Sequence, residues 1–353
     1  MPDKNTSAHS GTAGKASLKL RLFWLLLCAT LGLCIGLAGN HFTSNPAWFL
    51  ALPATLAAGW LFFANPEACL GACSPGQATT ARKIGLAAYR GLAGDHNPLA
   101  MAGAVSVGKA ISRQLGIPLS TIGKPGTPLK AGHEIQLAQA EPDLRELAAH
   151  LDTVFARRQA PLLTLSRCAA ALATLPVVMR HRPDACVVWL DAHGDLNTPE
   201  TSPTGYLGGM ALSGPAGLWD SGFGNGLPLS SLILVGARDL DPAEQALVNA
   251  GMVRLVKPGE DCLAKLRTAL GGRPAYMHLD CDVLEPGIVP TDYRVPAGFT
   301  LGELNALCKV LAEGELIGLE IAEFENAWPE KRVPVSPAAL LHALGPAISR
   351  LGA

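Results

Sequence analysis

The chain changes its hydrophobic pattern twice. Residues 1–18 are polar and rich in Ser, Gly, Ala and Lys, which leaves too little apolar surface for a core, so a disordered tail is expected. From Leu22 to Pro66 there is no Asp, Glu, Lys or Arg, and the polar stretch GNHFTSNP divides this run into apolar segments of about 22–38 and 47–64. Each approaches the roughly 20 residues that a helix needs to cross the hydrocarbon core of a bilayer. A helical transmembrane hairpin over 19–66 is therefore expected, with Trp24, Trp48 and Trp60 suited to the interfaces. A secretory signal would explain the first segment and leave the second without a reason. Residues 67–81, where Gly, Pro and Ser return, read as a linker.

From residue 82 to 353, short apolar runs alternate with amphipathic stretches. Runs at 83–89, 161–165, 185–191, 231–237, 274–282 and 316–324 have the length of strands, and about 99–115, 142–158, 167–180, 241–250, 301–312 and 337–350 read as helices. This rhythm predicts an α/β domain with a mainly parallel sheet and helices on both faces, a three-layer α/β/α sandwich. In such sheets ligands bind outside the carboxyl ends of the strands.

Composition narrows the partners. The formal net charge is −1 and no stripe of Lys or Arg is present, which argues against a nucleic-acid partner. Lys15, Lys19 and Arg21 precede the first apolar segment, Arg82 and Lys83 follow the second, and the loop between carries no charge. The positive-inside rule then predicts a membrane protein with its α/β domain on the cytoplasmic side. Nine cysteines, an odd number without paired zinc-finger spacing, suit mostly reduced thiols.

Two strand ends carry chemistry. In VVWLDAHGDLNTP (187–199), Asp191, His193 and Asp195 recur at every second residue behind an apolar run. In an extended strand they share one face. In YMHLDCDVLEPGIVP (276–290), Asp280 and Asp282 repeat the pattern. A lone D-x-D is usually a solvated loop. Two such motifs at buried strand ends gather four carboxylates, which repel one another unless protonated or neutralised by cations. Carboxylate and imidazole are the usual ligands of divalent metals of intermediate softness.

Together these motifs resemble the ureohydrolase family of arginases, agmatinases and formimidoylglutamases. WLDAHGDLNTP is similar to its W-x-D-A-H-x-D signature, and HLDCDVLEPGIVP to its S-x-D-x-D-x-x-D-P signature. GLEIAEFENAWP is similar to the late strand that supplies the family's substrate-facing glutamate, here Glu323, and LVGARDLDP to a segment in which Asp241 contacts the α-amino group in arginases. The resemblance runs from about residue 82 to the C-terminus. It implies an arginase-like fold, a homo-oligomer and two manganese ions bound by Asp191, His193, Asp195, Asp280 and Asp282, with Asp191 and Asp280 as bridges. It further implies hydrolysis of a guanidino compound to urea and an amine, by attack of water made acidic by both ions. Glu323 would orient the guanidinium, and Asn197 would contact the substrate carboxylate.

Three departures bear on this expectation. The family's first histidine ligand lies in a G-G-D-H-S motif after the strand that precedes W-x-D-A-H; here that place reads PLLTLSRCAAALATL, which aligns Cys168. Its thiolate either replaces the ligand, shifting preference towards zinc or iron, or is a small buried apolar group that leaves one ion. GDHN at 94–97 comes too early to supply the ligand, so His96 reads as a loop residue near the rim. The arginase proton-shuttle histidine aligns with Gly208, and His278 stands where the second motif has serine. By alternation His278 faces the site, either as a replacement ligand or shuttle, or as a hydrogen-bond partner of a carboxylate. The alternative function is a catalytically weak metal-binding sensor or scaffold at the membrane.

Overall fold

Apolar alternation becomes an eight-stranded parallel sheet in the computed structural model, which describes residues 83–330 and 333–353. The strands are β1 (Ile84–Tyr89), β2 (Ser120–Ile122), β3 (Ala160–Thr164), β4 (Cys186–Leu190), β5 (Leu232–Val235), β6 (Arg254–Val256), β7 (Ala275–Asp280) and β8 (Leu316–Ala322), in the spatial order β2-β1-β3-β8-β7-β4-β5-β6. The helices are α1 (Leu99–Leu115), α2 (His133–Ala156), α3 (Ala171–His181), α4 (Pro242–Asn249), α5 (Cys262–Leu270), α6 (Leu301–Glu313), α7 (Ala338–Ala343) and α8 (Gly345–Leu351). Every residue of β3, β4, β7 and β8 is buried. That is why they read as continuous apolar runs: in a parallel sheet covered on both faces, neither side of a strand meets water.

Helices cover the sheet on both faces. Leu162, Val188, Met277 and Leu319 pack on one face with Val107 and Ile111 of α1, Leu266 of α5 and Leu304 of α6. Leu163, Val187, Trp189 and Tyr276 pack on the other with Leu144 and Leu151 of α2 and Leu175 of α3. The two side-chain sets of one strand therefore feed two separate cores.

Several boundaries differ from the sequence reading. The helix expected from 142 begins at His133 and carries Pro142 inside it. Packing of Leu144, Leu147 and Leu151 against the sheet overrides the local break. The stretch expected as one helix over 167–180 opens with a separate 3-10 turn, Cys168–Ala170, before α3. The last helix is split into α7 and α8, with a proline entering α8 at its first turn. Strands β2 and β6 and helix α5 were not anticipated; the two strands are three-residue pieces at the sheet edges, too short to show a period.

The tail (1–18), hairpin (19–66) and linker (67–81) expected from the sequence lie outside the described residues. Among the described residues, no helix is long and apolar enough to cross a membrane.

Candidate metal centre

The four central strands β3, β8, β7 and β4 lie side by side, and each releases functional residues at or just past its carboxyl end. Asp191 follows β4 and is fully buried. Its Oδ2 accepts from the Trp189 indole at 3.0 Å, and its Oδ1 accepts from the His193 backbone N–H at 2.7 Å. The His193 Nδ1 lies 3.2 Å from Asp191 Oδ1 and 3.1 Å from Asp282 Oδ2. Asp282 falls in a 3-10 turn past β7, where its backbone N–H is held by Asp280 Oδ1 at 2.7 Å.

Two donor groups result among the described residues. Asp191, His193 and Asp282 form one, and Cys168, Asp191 and Asp280 the other; within each, the ligand atoms lie within 4.8 Å of one another. Asp191 belongs to both. Asp280 belongs to the second alone, and Asp195 joins neither, although it is buried on the same side with its backbone in the left-handed region at φ 50°.

Cys168 is fixed by partners that its own alanine-rich segment does not supply. Its Sγ lies 3.0 Å from Asp280 Oδ2 and 3.1 Å from His278 Nε2. The His278 ring stacks on Trp189 with centroids 3.4 Å apart, and its Nδ1 meets Glu320 Oε1 at 2.7 Å. Glu320 Oε2 in turn accepts from Thr174 at 2.9 Å and Tyr276 at 2.8 Å. A carboxylate that orients an imidazole, which in turn orients a ligand atom, is the usual outer support of a metal site. Both His278 nitrogens are engaged and the ring is fully buried. No pattern in the chain marks Glu320, which sits within the apolar strand β8.

The cluster carries more negative charge than its own cation balances. Burial, then the neighbouring Asp282, pushes the Asp280 carboxyl well above the usual range. Burial and Asp191 do the same to Asp195, and raise Asp282 to about 6. Burial and Asp280 push the Cys168 thiol up. Burial alone would pull His193 down, but its bonds to Asp191 and Asp282 outweigh that and lift it to about 12. Burial and mutual repulsion thus favour the protonated forms of these acids. Divalent cations fit the same demand, and the donor set of carboxylates, one imidazole and one thiol suits manganese, zinc or iron.

The predicted substrate residues are also placed near one another. Asn197 donates to Asp241 Oδ2 at 2.7 Å and accepts from Thr201 at 3.0 Å. Glu244 anchors this corner, accepting from the backbone N–H of Leu196 at 2.9 Å and of Asp241 at 2.9 Å. Its place was legible: Asp241 and Glu244 have the three-residue spacing of a helix capping box.

Glu323 follows β8 with its backbone at φ 65°, a conformation a glutamate adopts only at a cost of about 1–2 kcal/mol. Gly103 of α1 permits it, since a Cβ there would strike the carbonyl of Phe324. The Glu323 carboxylate accepts from the Cys168 backbone N–H at 2.8 Å and from Arg167 Nη1 at 2.6 Å. His96 lies at the rim, as expected: its ring is 4.5 Å from that of Tyr206, and it pairs with Asp292 at 3.2 Å. Tyr293 completes the rim, 5.3 Å from the ring of His193. Gly208 is buried, and the ring of Tyr206 fills the space its side chain would take.

The arginase family model matches residues 129–335. The N(omega)-hydroxy-L-arginine amidinohydrolase of Streptomyces lavendulae is 36% identical over 270 residues, covering 76% of this chain and 99% of that protein. The arginase of Bacillus caldovelox is 30% identical over 218 residues, 56% of this chain and 71% of that protein. The solved structure of the B. caldovelox arginase superposes with a TM-score of 0.65 at 24% identity, over 76% of this chain and 98% of that one. Proclavaminate amidino hydrolase from Streptomyces clavuligerus gives 0.59 at 19% identity, over 77% and 92%. The chain belongs to the arginase family, and with it to the hydrolases that cleave C–N bonds in linear amidines.

Proposed function

We propose that the chain hydrolyses a guanidino compound to urea and an amine at a two-ion centre, with manganese as the first metal to test. The observation that carries this reading is the pair of donor groups sharing one buried carboxylate, Asp191. A pair of ions with a shared ligand is the usual form of a dinuclear hydrolytic site. Asp191, His193 and Asp282 would hold one ion, and Cys168, Asp191 and Asp280 the other, with Asp195 beside them. When bound, the ions supply Lewis acidity that lowers the pKa of water and stabilises developing charge. The near full-length relative named for N(omega)-hydroxy-L-arginine supports a guanidino head group on an amino acid.

The chain's own residues do the rest. Asn197 and Asp241, already hydrogen-bonded, would receive the carboxylate and α-amino ends of such a substrate. Glu323 faces its reacting end. His278 has no free nitrogen and no exposure, so its part is to position Cys168, with its own ring held by Glu320, rather than to move protons on the substrate.

Release of urea, of N-hydroxyurea from N-hydroxylated guanidines, and of ammonia should be followed across guanidino and formimino compounds, with the full chain loaded with manganese, zinc or iron. Metal-dependent urea release from at least one guanidino compound is expected. Tight metal binding with no release from any compound would leave the scaffold reading in its place. The hairpin over 19–66 is a separate proposal, resting on the uncharged run and its basic flanks. The full chain should stay with membranes through high-salt extraction, and a chain starting near residue 80 should not.

A further inference from the structure

Asp191 and Asp282 come from different strands, and their like charges press the two segments apart. One residue bridges those segments through both its main chain and its side chain. The Arg238 backbone N–H donates to the Ala192 carbonyl at 2.8 Å. The Ala192 N–H donates to Asp282 Oδ1 at 3.1 Å, and Arg238 Nη2 donates to the Asp282 carbonyl at 3.1 Å. Three hydrogen bonds therefore close a ring, and Ala192 lies in it between the ligand positions Asp191 and His193.

The rest of the guanidinium grips the same surroundings. Its Nη1 donates to the carbonyls of Gly236 at 3.1 Å and Val283 at 3.3 Å. Its Nη2 also donates to Val295 at 2.7 Å, and its Nε to Pro296 at 2.9 Å. All five N–H donors of the side chain go to main-chain carbonyls. One planar fork thus joins the end of β5, the Asp282 turn and the loop that carries Tyr293 at the rim. A guanidinium stays charged at any working pH, and charged donors make the stronger hydrogen bonds. Lysine has three donors on one atom and cannot span these carbonyls. Arg238 is only half-buried, so it is no part of the apolar core. A plain loop staple would have no need to touch both ligand segments.

We propose that Arg238 is a positioning residue for the ion on the His193 side, setting the Asp282 turn against the Asp191–His193 segment before that ion binds. This rests on the two-ion reading above and names the residue that preorganises one half of it.

The test uses the full chain loaded with cobalt(II), on which a thiolate ligand produces a charge-transfer absorption that marks the Cys168 side. Bound cobalt is counted by elemental analysis and its affinities are measured by two-site calorimetry, in the wild type, Arg238→Lys and Arg254→Lys. Arg254 opens β6 at the amino end of the sheet and donates to the carbonyls of Ala269 and Ser230, so it controls for an arginine that staples main chain elsewhere. The wild type should hold two ions and show the thiolate band. Arg238→Lys should weaken one ion about 10–100-fold and keep the band, as loss of outer support to a single site does. Arg254→Lys should change neither. Unchanged affinities in Arg238→Lys, loss of the band together with the weakened ion, or an equal loss in Arg254→Lys overturns the inference while leaving the two-ion reading intact. Failure of Arg238→Lys to fold overturns it too, since the arginine would then support the fold at large. Fewer than two ions in the wild type removes both.

Discussion

The two halves of the candidate metal centre are built by different means. Asp191, His193 and Asp282 stand on strand ends in the alternation that the family signature requires, and backbone N–H groups hold the carboxylates in place. The half containing Cys168 and Asp280 has a cysteine where the family motif has histidine, and a side-chain network supports it: His278 of β7, the strand of Asp280, and Glu320 of β8, with the Trp189 ring of β4 stacked on His278. Asp280 also accepts a backbone N–H, from Asp282, so what sets the second half apart is the side-chain support behind Cys168. A ligand position can change its chemistry when the residues behind it change too.

That contrast can be broken experimentally. Asp191→Ala removes the one ligand common to both halves, so bound metal should fall to near zero, and turnover by more than about a hundredfold, since even outer-shell losses reach that scale. Elemental analysis retaining one ion per chain would show that the halves are independent of Asp191. His278→Ala should act on one half alone. Metal affinity of the Cys168 side should drop about 10–100-fold while the other ion is kept, as two-site calorimetry would resolve. Loss of both ions would mean the halves are a single unit.

Smaller effects sharpen the same picture. Glu244→Ala strips the partner from two backbone donors at the Asn197–Asp241 corner and should cost about 1–3 kcal/mol in denaturant unfolding. Metal stoichiometry should not change; if it does, this corner is part of the centre. The metal-free protein should also depend on pH in a defined direction. Burial raises Asp95, Glu244 and Asp282 to about 6. Between the usual carboxylate range and that value, the unfolded chain has released protons that the native chain keeps, so stability falls as pH rises. His193, raised to about 12, adds to the fall above the ordinary imidazole range, and Asp191, held low, titrates below this window. Without metal, Tm should be lower at pH 7 than at pH 5, by about 5 °C. Manganese at pH 7 should restore it. A metal-free Tm that rises over this range contradicts the charge reading of the cluster.

Much of this was legible in the chain, for a physical reason. Strands covered on both faces announce themselves as apolar runs, and polar residues at their ends stand out, as Asp191 and Asp280 do. The surroundings of Arg167 did not stand out. Its partners Asp95, Asp292, Glu323 and Glu325 come from three separate loops, brought together only by the order of the sheet. Nor did Glu320 and His278 declare themselves as a pair; they face each other because β7 and β8 are in register at those residues. The edge strands carried no pattern at all.

The ring of Tyr206 over Gly208 limits what position 208 can carry. Putting a histidine back at 208 drives its first carbon into an aromatic ring, and trimming Tyr206 first leaves a hole against a glycine. The fit of any side chain at 208 thus depends on where the Tyr206 ring can go. An engineer placing a histidine at 208 must therefore provide for the Tyr206 ring as well, either by room for it to swing aside or by replacing it.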